Sequence, residues 1–553
     1  MKKYLLLLSL FINLNLFAQV TTNIDAIEFP EVFINSPDST SFYIINNSQN
    51  DVTVNLSNLK SVYSLSDTMI TILSFDSSIC WLKYNPNQNV IDEDVIFISS
   101  DDSTIGFAID VIGFAYYGDN YDATTFNRYD NELKNVLTSL VNNHTSLGYN
   151  LARDKMFMEI DNQKVNGQGE PQNTLECVYT GRKAIGYTNR TDAQNNYNFN
   201  TEHTWPQSNF GEDEPMRSDL YHLFPTDNPA NGIRSNYPFG KVISSVTWDS
   251  AGSKLGRNSL NEIVFEPRDV HKGDVSRSMF YFITRYPVNY GSFFTQTQEN
   301  VFREWNKLDN VGVIESNRNN AIASLQMKRN PYIDHPEFVD RIYSFATNTT
   351  RPRNSELDLL PYLVQFDSTN ISDTTSSNVY MINVGNNSLT IDSIVVTGSN
   401  FLVTNITYEV EPYSAWKSLV HFIPDSADSY SATLTVYSDD GGTKQISLSG
   451  IGKDNAVSVE NEITTPLAFS LEQNYPNPFN PGTTISWQSP VSSLQTIKVF
   501  DVLGTEVATL VNEFRNAGNY EVNFNASNIP SGVYFYRLQV GNIIETKKMI
   551  LMK

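Results

Sequence analysis

The 553-residue sequence predicts a multidomain chain: a segment of mixed α and β structure (α+β) between two β-sandwiches, with a further small β unit at the C-terminus. Three observations carry this. At about 150 residues per domain the length calls for three or four units rather than one core. Residues 20–118 and 356–452 follow the same plan of short alternating apolar runs broken by Asn, Ser, Asp and Pro, the pattern of antiparallel sandwiches. Between them the apolar spacing changes from two to that of helices.

Taken in order, Lys2 and Lys3 precede an apolar run from Tyr4 to Phe17 and then Ala18, which reads as a signal peptide cut after residue 18. No later stretch reaches the roughly 20 apolar residues of a membrane span, so the mature chain is expected to be exported without an integral membrane segment. The first sandwich is placed at 19–117, with strands at Ser41–Ile45, Val52–Leu56, Val95–Ile98 and Ile105–Ile112. The second, at 353–453, repeats it: Tyr43–Asn47 corresponds to Tyr380–Asn387, Val95–Asp102 to Leu434–Asp440, and Ile109–Gly113 to Ile446–Gly450.

The central segment, 118–352, opens with Leu133, Val136, Leu137, Leu140 and Val141 on one helical face. Further helices are expected over 276–286, after a turn at Lys272-Gly273-Asp274, and over 299–308 and 313–326, with a strand at Cys177–Thr180. A polar linker at 454–466 leads to the last unit, 467–553, with strands near 483–487, 495–500, 520–524 and 532–538 and a turn at Asp501–Gly504. Cys80 and Cys177 fall in different units, so two buried thiols are expected rather than a disulfide.

The formal net charge of −23 argues against a polyanion-binding protein only until its placement is read. Residues 121–350 hold 23 Lys and Arg against 27 Asp and Glu, leaving 15 against 34 for the rest. Five of the six histidines are central as well, which favours chemistry in that segment.

That chemistry centres on Asn200-Thr201-Glu202-His203-Thr204-Trp205-Pro206, answered by the polar run from Met216 to Gly240. A metal-assisted hydrolase needs a hard anionic ligand, a base for water, a second oxygen ligand and a cation for the anionic substrate. Glu202 offers the first and His203 the second. Asn228, Asn231 and Asn236 are the neutral oxygen donors, and Arg217 and Arg234 the cations, either of which could instead pair with Glu212, Asp213 or Glu214. Glu202 and His203 are consecutive, so in a regular strand they point to opposite faces. They share a site only at a strand end or through a distorted pleat.

Residues 118–350 resemble the bacterial endonuclease I family of ββα-metal nucleases. The resemblance rests on Tyr179-Thr180-Gly181-Arg182, Asn200 through Pro206, Ser218 through Pro225, Asn231 through Gly240, Phe265-Glu266-Pro267, Lys272 through Arg277 and Arg329 through Pro336. It implies His203 as general base, Glu202 and Asn231 as ligands of Mg2+ (Ca2+ or Mn2+ as alternatives), and Arg217 at the phosphate. His222, Glu266, Asp274 and His335 would be supporting residues, and Asp219 would orient a ligand. The implied reaction is phosphodiester hydrolysis of DNA or RNA with little sequence specificity, giving 5′-phosphate and 3′-hydroxyl ends. Met327-Lys328-Arg329 departs from the family, which often carries Gly before the basic residue.

The flanking sandwiches resemble the immunoglobulin-like choice-of-anchor or Hydin-like modules of bacterial surface proteins. Residues 471–553, with Asn474-Tyr475-Pro476-Asn477-Pro478-Phe479-Asn480-Pro481 and Gly532-Val533-Tyr534-Phe535-Tyr536-Arg537-Leu538, resemble the C-terminal sorting domain of the type IX secretion system. That implies passage through the periplasm and outer membrane to the cell surface or medium. The competing expectation is a non-catalytic surface adhesin that binds nucleic acid or another polymer, and a third is a metal-dependent phosphatase acting on small molecules.

Overall fold

The computed structural model describes residues 19–287, 293–347, 349–404, 407–454, 469–540 and 543–553. The expected signal peptide and nearly all of the linker lie outside them. The chain divides into two compact units, Met1–Asp454 and Asn455–Lys553.

Within the first unit, the alternating runs of the N-terminal part form two sheets around one core. Asp38–Asn46 lies between Val20–Thr22 and Ser77–Tyr84, with Tyr63–Leu65 at the far edge. Facing them, Ile91–Ser100 lies between Gly106–Tyr116 and Val52–Ser57. Phe42, Ile44 and Leu82 from one sheet meet Val54, Ile98 and Ile109 from the other. Residues 357–453 have the same strand order, sheet for sheet, so the repeat in the sequence is a repeat of topology. One expectation is corrected: each part contains a parallel pair, Ala26–Phe33 beside Gly106–Tyr116 and Leu363–Gln365 beside Thr443–Lys453. An early strand that lies beside the last must cross the whole domain first, a long connection that allows parallel pairing.

The two repeats pack directly on one another. Val95 and Ala108 share a small core with Leu360, Tyr380 and Ile382, and a Cβ on Gly106 would come 2.8 Å from the Pro361 Cα. At this contact the Ala415 amide donates to Asp110 (2.9 Å). Burial raises the Asp110 carboxyl to about 6, with Asp25 and Glu93 adding to the shift. A folded-state value above the unfolded one means that folding takes up a proton as pH falls. The stability this proton adds is complete below about 3.8 and is lost as pH rises through about 6. Between pH 7 and pH 5 the melting temperature of the native chain should therefore rise relative to that of Asp110→Asn. Parallel melting curves would show that the carboxyl does not titrate at the contact.

The helical segment between the repeats has a core of its own, which includes Leu133, Phe157, Trp205, Phe280 and Phe302. Its helices run Asp130–Val141, Tyr149–Lys155, Arg190–Tyr197, Asn228–Arg234, Lys272–Arg285, Gln296–Leu308 and Val313–Gln326. Two expectations change. The strand lies at Thr174–Glu176, paired with Lys183–Ile185, and Cys177–Thr180 turns between them. Lys272-Gly273-Asp274 is the first turn of its helix, not a turn before it. Gly273 is there for space, because a Cβ would meet the Asp309 carbonyl at 2.3 Å. Both cysteines are free and buried. The segment is tied to the first repeat by Arg341, whose buried guanidinium donates to Asn89, and Asn89 donates to Asp122 and Thr125.

In the second unit, two sheets of three and four strands enclose Trp487, Tyr536 and Met549. The Pro- and Asn-rich string is part of that packing. The Asn474 side chain donates to Thr483 (2.9 Å), its amide donates to the Tyr536 hydroxyl (2.8 Å), and Asn477 accepts from the Ile550 amide (2.9 Å). Two strands not expected from the sequence, Glu506–Arg515 and Ile543–Leu551, complete the larger sheet.

Candidate active site

Phe199–His203 and Leu223–Asp227 pair antiparallel, with Glu202 opposite Phe224 and His203 opposite Leu223. The helix Asn228–Arg234 follows without a break, giving a continuous β-β-α unit. Asp227 caps that helix by accepting from the Ala230 amide (2.9 Å), and Pro229 suits its first turn. The Tyr179-Thr180-Gly181-Arg182 motif braces the unit from outside. Thr180 donates to Asp227 (2.6 Å), and Arg182 donates to the Tyr197 and Asn198 carbonyls.

Glu202 is buried on one side of the hairpin. Its Oε1 accepts no hydrogen bond of normal geometry and sits 3.2 Å from Arg234 Nε. The Tyr179 hydroxyl and His271 are close enough to act on its charge. Burial raises its pKa against the pull of Arg234. Arg234 is itself only 2% exposed, donates to the Thr204 carbonyl (2.7 Å) and lies over the Phe239 ring. Of the two arginines left open by the sequence, this one is enclosed as the ion-pair partner of Glu202.

His203 ends the strand and has a different set of neighbours. Its Nε2 lies 3.3 Å from the Arg217 carbonyl, and its ring stands 5.4 Å from His222 and 5.6 Å from Tyr149. A carbonyl can only accept, so Nε2 carries the proton and Nδ1 holds the lone pair. Nδ1 has no hydrogen bond to the described residues. Burial, then the adjacent His222, holds the imidazole well below the usual histidine range. His222 is also kept neutral, its pKa lowered to about 4 by burial, and donates from Nε2 to the Met216 carbonyl (2.7 Å). Glu202 and His203 thus make their direct contacts with different residues, as strand alternation leads one to expect, and the Arg234 charge acts on both.

The Arg217 guanidinium is half-buried against Tyr149, bonded to Gln207 (3.1 Å) and paired with Glu212 (3.0 Å). Asn231 lies one turn before Arg234 on the same side of the helix. Its side chain makes no hydrogen bond among the described residues, to Glu202 or to any other. Asn228 is exposed and donates to Asn198 (2.7 Å), and Asn236 is exposed beyond the helix end. Glu266 binds Lys272 (2.7 Å), Asp274 binds His271 (3.0 Å), and His335 binds Asp119 (2.9 Å). Asp219 accepts from Tyr281 and Tyr286. Tyr149, Arg153 and His271 were not anticipated beside the site. The spacing of Tyr149 and Arg153, four residues apart on one helical face, was the readable signal for two of them.

The family model described as Endonuclease I matches residues 129–337, and that described as Secretion system C-terminal sorting domain matches residues 473–552. An extracellular ribonuclease of Bacillus amyloliquefaciens is 31% identical over 230 residues, 38% of this chain and 73% of that protein. An extracellular ribonuclease of Bacillus subtilis (strain 168) is 29% identical over 249 residues, 41% of this chain and 78% of that protein. A periplasmic deoxyribonuclease of Aeromonas hydrophila is 24% identical over 175 residues, 28% of this chain and 70% of that protein. The chain belongs to the endonuclease I family. It is a nuclease, and with its type IX sorting domain it is a secreted or cell-surface protein.

Proposed function

We propose that the chain is a metal-dependent endonuclease that hydrolyses DNA and RNA phosphodiesters with little regard to sequence. The single observation that carries this reading is His203, a neutral imidazole whose Nε2 proton is held by a backbone carbonyl, next in sequence to a buried carboxylate. With Nε2 so held, Nδ1 takes a proton from water, and the hydroxide attacks phosphorus. Arg217 exchanges Glu212 for a phosphate oxygen and meets the charge that develops there. The ends produced are 5′-phosphate and 3′-hydroxyl.

Glu202 and Asn231 fit a hard divalent cation: one is a buried carboxylate whose Oε1 faces Arg234 but takes no hydrogen bond, the other an amide whose side chain makes no hydrogen bond among the described residues. Among the described residues no three His, Cys, Asp or Glu side chains gather as a metal cage, so two protein oxygens and several waters would form the shell, as Mg2+ accepts. When bound, the ion supplies neutralisation of charge on the phosphoryl group and the leaving oxygen. Asn231 is preferred over Asn228 and Asn236 because it shares a side of the helix with Arg234, the partner of Glu202.

The flanking repeats are read as immunoglobulin-like modules at 19–117 and 353–453, bounding a catalytic domain at 118–352, with a sorting domain from 467. Their matching strand orders support this.

The test uses the chain from Gln19 to Lys553 with plasmid DNA and with structured RNA, in Mg2+ and in EDTA. Cutting in Mg2+ alone is expected, reduced roughly a hundredfold or more by Asn231→Ala and little changed by Asn228→Ala. Binding without cutting would return the chain to the adhesin reading, and equal losses in the two variants would remove Asn231 as the ligand.

A further inference from the structure

The short helix Tyr149–Lys155 presents Tyr149 and Arg153 one turn apart on the same face. The Arg153 guanidinium carbon lies 4.1 Å from the Tyr149 ring centre, and that of Arg217 lies 4.3 Å from the same centre. The Tyr149 ring is in turn 5.6 Å from that of His203. Two cations therefore share one aromatic ring beside the imidazole, and Arg190 is near enough for its charge to act on Arg153.

The counter-charges do not match this gathering. Arg217 is paired with Glu212 (3.0 Å) and Arg190 with Asp154 (2.6 Å). Among the described residues no carboxylate stands within ion-pair distance of Arg153. Its Nη2 donates to the neutral amide oxygen of Asn150 (3.0 Å), and its Nε is buried without a hydrogen bond. Burial, with the charges of Arg190 and Arg217, holds its pKa below the ordinary arginine value against the opposing pull of Tyr149 and Asp154. Three guanidiniums against two carboxylates leave one positive charge over, and that excess costs free energy unless a further anion joins it. The stacked ring keeps the guanidinium plane in place, and a planar fork of N–H donors is the geometry that phosphate oxygens accept.

We propose that Tyr149 and Arg153, with Arg190 beside them, form a second phosphate subsite that takes a phosphodiester neighbouring the scissile one on the same strand. The ligand class is a nucleic-acid backbone phosphate. The subsite rests on the reading of His203 as the general base only for its place along the strand.

The test is binding of a short fluorescein-labelled single-stranded oligonucleotide, DNA or RNA, to the chain from Gln19 to Lys553 in EDTA, followed across salt concentration. Each phosphate contact adds about 0.7 to the slope of log affinity against log salt for a single strand. Arg153→Met keeps the stem against Tyr149 and removes the charge. It should lower the slope by about that amount and weaken binding roughly tenfold at low salt. Arg153→Lys should keep the slope. An unchanged slope in Arg153→Met, with or without a lower melting temperature, would reduce Arg153 to a packing residue and overturn the subsite. Cleavage measured in parallel in Mg2+ separates the two readings: a native chain that binds with the full slope but does not cut defeats the catalytic assignment and leaves the subsite standing.

Discussion

Replacing His203 with Ala should lower the cleavage rate about a thousandfold in Mg2+, within the range removed with a general base, while oligonucleotide affinity in EDTA and the melting temperature stay near those of the native chain. The reason is local. The ring's one hydrogen bond among the described residues is to the Arg217 carbonyl, a backbone group that holds its place without the ring. His203→Gln should be as inactive as the alanine variant, because an amide can keep the contact with the carbonyl but cannot take a proton from water near neutral pH. Gel assays of plasmid nicking with rates normalised to folded protein would decide it. Retained cutting within about tenfold would transfer the base to another group.

Arg234 should behave in the opposite way, as a residue of stability first. Arg234→Met leaves Glu202 buried without its counter-charge, and breaking one side of an enclosed pair costs about 3–5 kcal/mol. In a segment of this size that lowers the melting temperature by roughly 10 °C. The double variant Glu202→Gln with Arg234→Met should recover a good part of the loss, since neither an isolated carboxylate nor an isolated guanidinium then remains in the interior. If instead Arg234→Met melts like the native chain but binds oligonucleotides with a reduced salt slope, Arg234 contacts phosphate and Glu202 is balanced by something else. The enclosed position of the guanidinium over Phe239, bonded to the Thr204 carbonyl, stands against that outcome.

Alternation of apolar and polar residues was enough to locate most strands of the two flanking repeats, because a half-buried strand writes its two faces into the sequence with a period of two. Asp38–Asn46 and Val52–Ser57 are of this kind. The strand Glu506–Arg515 was not legible because its exposure does not alternate cleanly. The false turn at Lys272-Gly273-Asp274 has a different source. Glycine usually marks a break, whereas here it sits in a helix's first turn because the Asp309 carbonyl and the Arg277 guanidinium leave no room for a Cβ.

What the sequence determined by itself was composition and order: the two repeats, the Glu202-His203 pair, the Asn and Arg residues that follow it, and the family and sorting motifs. These are local strings, and local strings survive in one dimension. Which arginine meets which acid was decided only in three dimensions. Arg217 and Arg234 are alike in the sequence, yet the Asn228–Arg234 helix turns Arg234 inward to Glu202 while Arg217 lies half-buried between Tyr149 and Glu212. The same holds for Tyr149 and Arg153, which stand about 50 residues before His203 and become its neighbours only through packing. Charge partners and subsites depend on distance and burial, and those belong to the folded chain rather than to the order of its residues.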